Sequence, residues 1–247
     1  MTGCTASRAL IDDLVSANHI LYNEAVVDGF GHVSVRHDTR SDRFLLAAGL
    51  APAVVTADDI LELDFEGNVH DAQGRRSYLE RFIHSEIYKA RPDVVAVVHS
   101  HSPAIIPFGV TRATLRPVCH MSGFLGFSTP VFDIRDTAGE NNDMLVRSNA
   151  LGKALADSLG KNDFALMRGH GSITVAKSLK LVVARAIWAA MNAKLQTEAM
   201  RLAAVVGDGE VSYLTPGEAA GSMAINETVV DRPWQLWKAK ANAAQRA

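Results

Sequence analysis

Cysteine is nearly absent from this chain of 247 residues, which holds only Cys4 and Cys119. Two thiols so far apart make no disulfide framework and suit a reducing compartment, so a cytoplasmic location is the expectation. A surplus of one charge is also lacking. The 25 Lys and Arg nearly balance the 27 Asp and Glu, leaving no basic stripe for a nucleic-acid backbone, and no nucleic-acid partner is expected. No apolar run approaches the ~20 residues of a membrane span, and Asp12 and Asp13 interrupt the only N-terminal stretch that could resemble a signal segment, so no membrane partner is expected. No G-x-G-x-x-G follows a strand and no Walker A sequence occurs, which argues against a doubly wound nucleotide fold. Linkers, repeats and low-complexity tracts are missing, so residues 1–247 read as one domain. What is present is a hydrophobic fraction of 48%, enough in a chain of this length to bury a sizeable core without staples.

The periodicities sketch the order of elements. Leu10, Leu14, Ala17 and Leu21 lie at helical spacing in residues 5–27. "GHVSVRH" and "DRFLLAAG" alternate around a polar turn and predict a hairpin. "VVTADDILELDFEGNV" reads as a capped turn and a strand. A helix over 78–93 stops at Pro92, and Val94 to Val98 form a buried strand. A short helix follows Pro103, and residues 111–127 are irregular. "STPVFDI" is a strand candidate, 142–159 a helix, and "DFALMRGHGSITVA" two strands around a Gly-His-Gly turn. Leu181, Ala184, Trp188, Met191 and Leu195 mark a long helix. The polar tail 207–247 is expected to pack only in an oligomer. Mixed strands and helices without βαβ alternation predict an α/β or α+β domain with a mixed or largely antiparallel sheet.

The valine strand ends in His99-Ser100-His101. Side chains at i and i+2 of a strand share a face, roughly 6–7 Å apart, so His99 and His101 can converge on one ion. Neutral imidazoles suit Zn, Mn, Fe, Co and Ni. Alone, the pair fits two partly exposed histidines equally well. His170 adds to it, because Gly169 and Gly171 free the turn backbone and admit close neighbours. Glu86, one helix upstream, is the expected carboxylate. Three histidines and a carboxylate suit a catalytic divalent cation.

"GHVSVR", "HSEIY", "RPDVVAVVHSHSP" and "LMRGHGS", in this order and spacing, resemble the class II aldolase/adducin family over residues 8–205. The resemblance implies a three-layer α/β/α domain around a largely antiparallel sheet, assembled as a homotetramer with interface active sites. It implies metal ligands at His99, His101 and His170, with the catalytic glutamate, also a ligand, at Glu86. His120 falls where aldolases of the family present a catalytic residue from a neighbouring subunit, and Tyr213 is a weaker candidate.

Sugar-phosphate members have Gly-Asn, Ser-Gly and paired hydroxyl residues that cradle a phosphate. Here the corresponding positions are Gly31-His32, Gly49-Leu50 and His84-Ser85. Leucine offers no hydrogen bond and two imidazoles take up room, so a flatter carboxylate substrate is expected. His32, Ser34, His84 and Ser85 are candidate donors to it, and Arg81, Arg112 and Arg116 candidate carboxylate partners. This resembles the family's decarboxylases of hydroxylated aromatic acids, with a hydroxypyridine or hydroxyphthalate dicarboxylate as substrate, 3-hydroxy-2-methylpyridine-4,5-dicarboxylate foremost. One divalent ion per subunit is implied, Mn2+ ahead of Zn2+. The alternatives are an aldolase of a non-phosphorylated hydroxy acid or sugar, and a non-catalytic adducin-like module.

Overall fold

The computed structural model describes residues 4–70, 72–207 and 209–246. Its strands are β1 (His32–Arg36), β2 (Arg43–Ala47), β3 (Ile60–Asp64), β4 (Val69–His70), β5 (Ala96–Ser100), β6 (Val131–Phe132), β7 (Phe164–Met167) and β8 (Gly171–Ala176). They form one eight-stranded sheet in the order β4-β3-β2-β1-β5-β8-β7-β6. Every neighbouring pair is antiparallel except β6 with β7. The helices are α1 (Arg8–Asn23), α2 (Arg81–Ala90), α3 (Ile106–Val110), α4 (Arg135–Ala138), α5 (Asn149–Leu159), α6 (Leu179–Val206), α7 (Pro216–Thr228) and α8 (Asp231–Ala244). None is long and apolar enough to cross a membrane among the described residues.

The inner strands β1, β2, β5, β7 and β8 are buried on both faces, and their alternation divides the core in two. Val33, Val35, Ala96 and Val98 pack with α1, α6 and α8. Phe44, Leu46, Val97, Ile173 and Val175 pack with α2 and α5. The result is the expected three-layer α/β/α arrangement. Odd-numbered positions of β5 therefore face α2, which puts His99 on that face with Val97.

The tail departs from its expectation. α8 lies against α1 and α6: Trp234 is 1% exposed, the rings of Trp188 and Trp237 are 6.5 Å apart, and Lys238 pairs with Asp13 at 3.0 Å. Its polar residues are the outer face of a helix whose tryptophans enter the core. α7 packs on the 3-10 turn His120–Leu125. A Cβ on Gly123 would stand 2.3 Å from the Ala219 carbonyl, so glycine is required there. The helix expected over 142–159 begins only at Asn149. Ser148 caps it by accepting from Leu151 N, and Met144 is left-handed, which is incompatible with a helix at that point. The irregular segment after α3 is held by buried side chains of α6. Asn192 bonds Val118 N and Arg116 O, and Gln196 bonds Arg116 N and Thr114 O.

Trp234→Ala is expected to cost about 3–5 kcal/mol, the usual range for a large aromatic removed from a core. Urea unfolding checks it. A loss below about 1 kcal/mol would mean that the tail is not part of the fold.

Candidate metal centre and the cleft above it

His99 is fully buried near the end of β5. Its Nδ1 is 3.2 Å from the Ser172 carbonyl on β8, and a carbonyl only accepts, so Nδ1 carries the proton. That leaves Nε2 as a lone pair, the usual way a neighbour orients a ligand imidazole. His99 Nε2 lies 2.9 Å from His101 Nε2. His170 arrives from the β7–β8 turn, with its ring stacked on His101 at 4.8 Å. Both flanking glycines are needed: Gly169 has φ +64°, and a Cβ on Gly171 would meet the Ser100 carbonyl at 2.0 Å.

The carboxylate beside these rings is Glu80. Its Oε2 is 3.6 Å from His99 Nε2 and 3.5 Å from His170 Nε2, while Oε1 accepts from Val146 N at 2.9 Å. Burial acts to raise the Glu80 pKa, but the facing His170 and His99 outweigh it and hold the carboxyl below its ordinary range. Burial, with His99 and His170 alongside, lowers His101 to about 4, so its ring is neutral at pH 7. One ligand atom from each of Glu80, His99, His101 and His170 falls within 4.8 Å of the others. His170 Nδ1 is buried with no hydrogen bond from the chain. Three imidazoles and one ionised carboxylate, converging at a strand rim, are a donor set that fits a divalent cation.

A cleft of about 440 Å³ opens over this group, with Glu80, His101, His32, Tyr78 and Arg76 among its lining. Phe30, Leu50, Leu79 and Leu145 supply apolar walls, and Phe30 is 72% exposed at the mouth. Beneath His32 runs a buried chain of polar groups. His32 Nδ1 is 2.6 Å from His84 Nε2, His84 Nδ1 is 2.7 Å from Ser34 Oγ, and Ser34 Oγ is 2.8 Å from the Tyr88 hydroxyl. Burial lowers His84 to about 3 and His32 well below its ordinary value, and raises Tyr88. Both imidazoles are neutral and the phenol keeps its proton.

Residues 12–197 match the family described as Class II Aldolase and Adducin N-terminal domain. The chain belongs to this family. Decarboxylase tropJ of Talaromyces stipitatus is 41% identical over 244 residues, covering 90% of each chain. A 3,4-dihydroxyphthalate decarboxylase of Arthrobacter keyseri is 28% identical over 186 residues, covering 69% of this chain and 71% of that one. The L-fuculose 1-phosphate aldolase of Glaciozyma antarctica shares the fold, with a TM-score of 0.75 at 24% identity over 96% of this chain and 90% of that one.

Within this family member, the residues singled out by sequence divide into two groups. His99, His101 and His170 come together, and His32 joins them at the cleft. Glu86 does not. It lies on the α5 side of α2, where Oε1 accepts from Lys89 at 2.9 Å and Asn149 at 2.6 Å. Six residues of helix turn the side chain about 120° away from the Glu80 direction. Ser34 and His84 lie beneath the cleft rather than on it, and Ser85 Oγ turns back to the Phe82 carbonyl. Arg81 binds the Gly67 and Tyr78 carbonyls and covers the Phe82 ring, so it braces the β3–β4 turn. Arg116 lies 3.9 Å over the Tyr213 ring, which commits both to each other. Arg112 and His120 are exposed and stand outside the cleft lining of this chain. Glu80 and Arg76 were missed by pattern reading.

Glu80→Gln is expected to weaken Mn2+ binding at least tenfold by titration calorimetry, while Glu86→Gln leaves it within twofold. The reverse ranking would return the carboxylate role to Glu86.

Proposed function

We propose that the chain is a divalent-metal-dependent carboxy-lyase that removes CO2 from a hydroxylated aromatic carboxylate. The observation that carries this reading is the cleft itself: three imidazoles and Glu80 below, flat apolar walls around them, and Arg76 as the one Arg or Lys among the described lining residues. Leu50 occupies the wall where a phosphate cradle would need donors. The relatives named as decarboxylases support the same chemistry. A hydroxyphthalate is the first substrate to test and 3-hydroxy-2-methylpyridine-4,5-dicarboxylate the second, because the dihydroxyphthalate enzymes are the relatives that name an aromatic diacid.

A bound divalent cation supplies Lewis acidity toward the electrons released when the C–C bond breaks. Mn2+ is favoured over Zn2+ for an oxygen-rich substrate. The remaining work falls to the chain. Arg76 pairs with the substrate carboxylate that is retained, and Phe30 with Leu50 and Leu79 keeps water from the ring. Glu80 keeps Oε2 beside His99 and His170 as the fourth donor, its carboxyl held ionised by those two rings. The substrate hydroxyl gives up its proton to solvent, and a solvent proton reaches the ring carbon bearing the departing carboxylate. A C–H bond forms there, the bond to CO2 breaks with its electrons going back into the ring, and a solvent proton restores the hydroxyl.

A cytoplasmic homotetramer is part of the proposal. The free thiols of Cys4 and Cys119 suit that compartment. Leu195, Leu202, Val205 and Val206 leave an exposed apolar strip along the end of α6, and His120 would then act on a neighbouring subunit's cleft.

With Mn2+-loaded protein, 3,4-dihydroxyphthalate is expected to release one CO2 per turnover. Arg76→Gln should raise KM about tenfold or more for the diacid and little for 2,3-dihydroxybenzoate. An aldehyde from hydroxy acids, with no CO2 from any aromatic acid, would replace this reading with aldol cleavage.

A further inference from the structure

The buried chain from His32 to Tyr88 has two self-consistent arrangements of its protons, and the cleft end differs between them. In the first, the Tyr88 hydroxyl donates to the Val95 carbonyl at 3.4 Å. Ser34 then donates to Tyr88, His84 Nδ1–H to Ser34, and His32 Nδ1–H to His84, which leaves His32 Nε2 a bare acceptor. In the second, Tyr88 donates to Ser34, Ser34 to His84 Nδ1, and His84 Nε2–H to His32 Nδ1. His32 then carries its proton on Nε2. Each link is 2.6–2.8 Å in either sense, and no group changes charge.

The two arrangements are close in energy for a visible reason. Val95 O already accepts from Arg36 N at 2.8 Å, so losing the long contact from Tyr88 leaves no buried acceptor unsatisfied. Among the described residues, His32 Nε2 has no partner in the chain, and its ring lines the cleft. The contact to Val95 favours the first arrangement when the cleft holds only water. An anionic oxygen offers no proton and needs a donor, which favours the second.

We propose that Ser34, His84 and Tyr88 are positioning residues that set whether His32 accepts or donates, and that a carboxylate or phenolate oxygen in the cleft reverses all of them together. This rests on the cleft being the substrate site, as proposed above. His32 thereby offers an anion a neutral donor, with no imidazolium placed beside the neighbouring histidines.

The test is the 15N spectrum of the histidine rings in Zn2+-loaded, diamagnetic protein, read with and without salicylate. His32 and His84 are expected to be Nδ1–H in the free protein and to shift to Nε2–H with salicylate. Tyr88→Phe removes the outlet to Val95, so both rings should be Nε2–H before any ligand is added. Unchanged tautomers in the natural chain on saturation with salicylate would overturn the proposal, whether or not Tyr88→Phe folds. So would a free Tyr88→Phe protein whose rings remain Nδ1–H. The readout needs no turnover, so a protein that releases no CO2 but shows the reversal fails the functional reading and keeps this one.

Discussion

The site depends on the antiparallel packing of α2 against β5. Their contacts run in opposite senses. Tyr88 reaches Val95 at the start of the strand, His84 reaches Ser34, which pairs with Val97, and Glu80 reaches His99 at its end. A helix start thus meets a strand end, and the carboxylate that joins the imidazoles must come from the first turn of α2 or just before it. Moving α2 by one turn would separate Glu80 from His99 and break the links to His32 and Ser34 as well.

The two faces of β5 perform different tasks. Ala96 and Val98 fix the strand to α1 and α6, while Val97 and His99 face α2. Ser100, on the opposite face from His99, meets Ser172 at 3.2 Å and stands where Gly171 permits the β7–β8 turn to close. The apolar core therefore determines where the imidazoles stand. With Glu80 held ionised beside them, the group suits a cation.

Much of this was legible in the sequence. The alternation of "VVAVVHSH" assigned His99 and His101 to one rim, and the glycines around His170 marked a close approach that the structure shows at the Ser100 carbonyl. Glu86 misled because it lies inside the family-like "HSEIY" segment. A length argument would have pointed elsewhere. From Val95 to His99 the strand climbs about 13 Å at ~3.3 Å per residue. A helix returning alongside needs about nine residues at ~1.5 Å each, which leads back from Ala90 to the neighbourhood of Glu80. Arg76 could not be found this way, since a loop has no period. The tail was misjudged because tryptophans spaced at 234 and 237 in a polar stretch carry a weak stripe. Its partner surface on α1 and α6 is distant in sequence.

The most direct measurement is X-ray absorption at the Zn K-edge on the reconstituted natural chain. Three imidazole shells at about 2.0 Å, with oxygen completing the coordination, are what the grouping of His99, His101, His170 and Glu80 predicts. A spectrum with one imidazole or none, or a chain that takes up no ion at neutral pH, would contradict it.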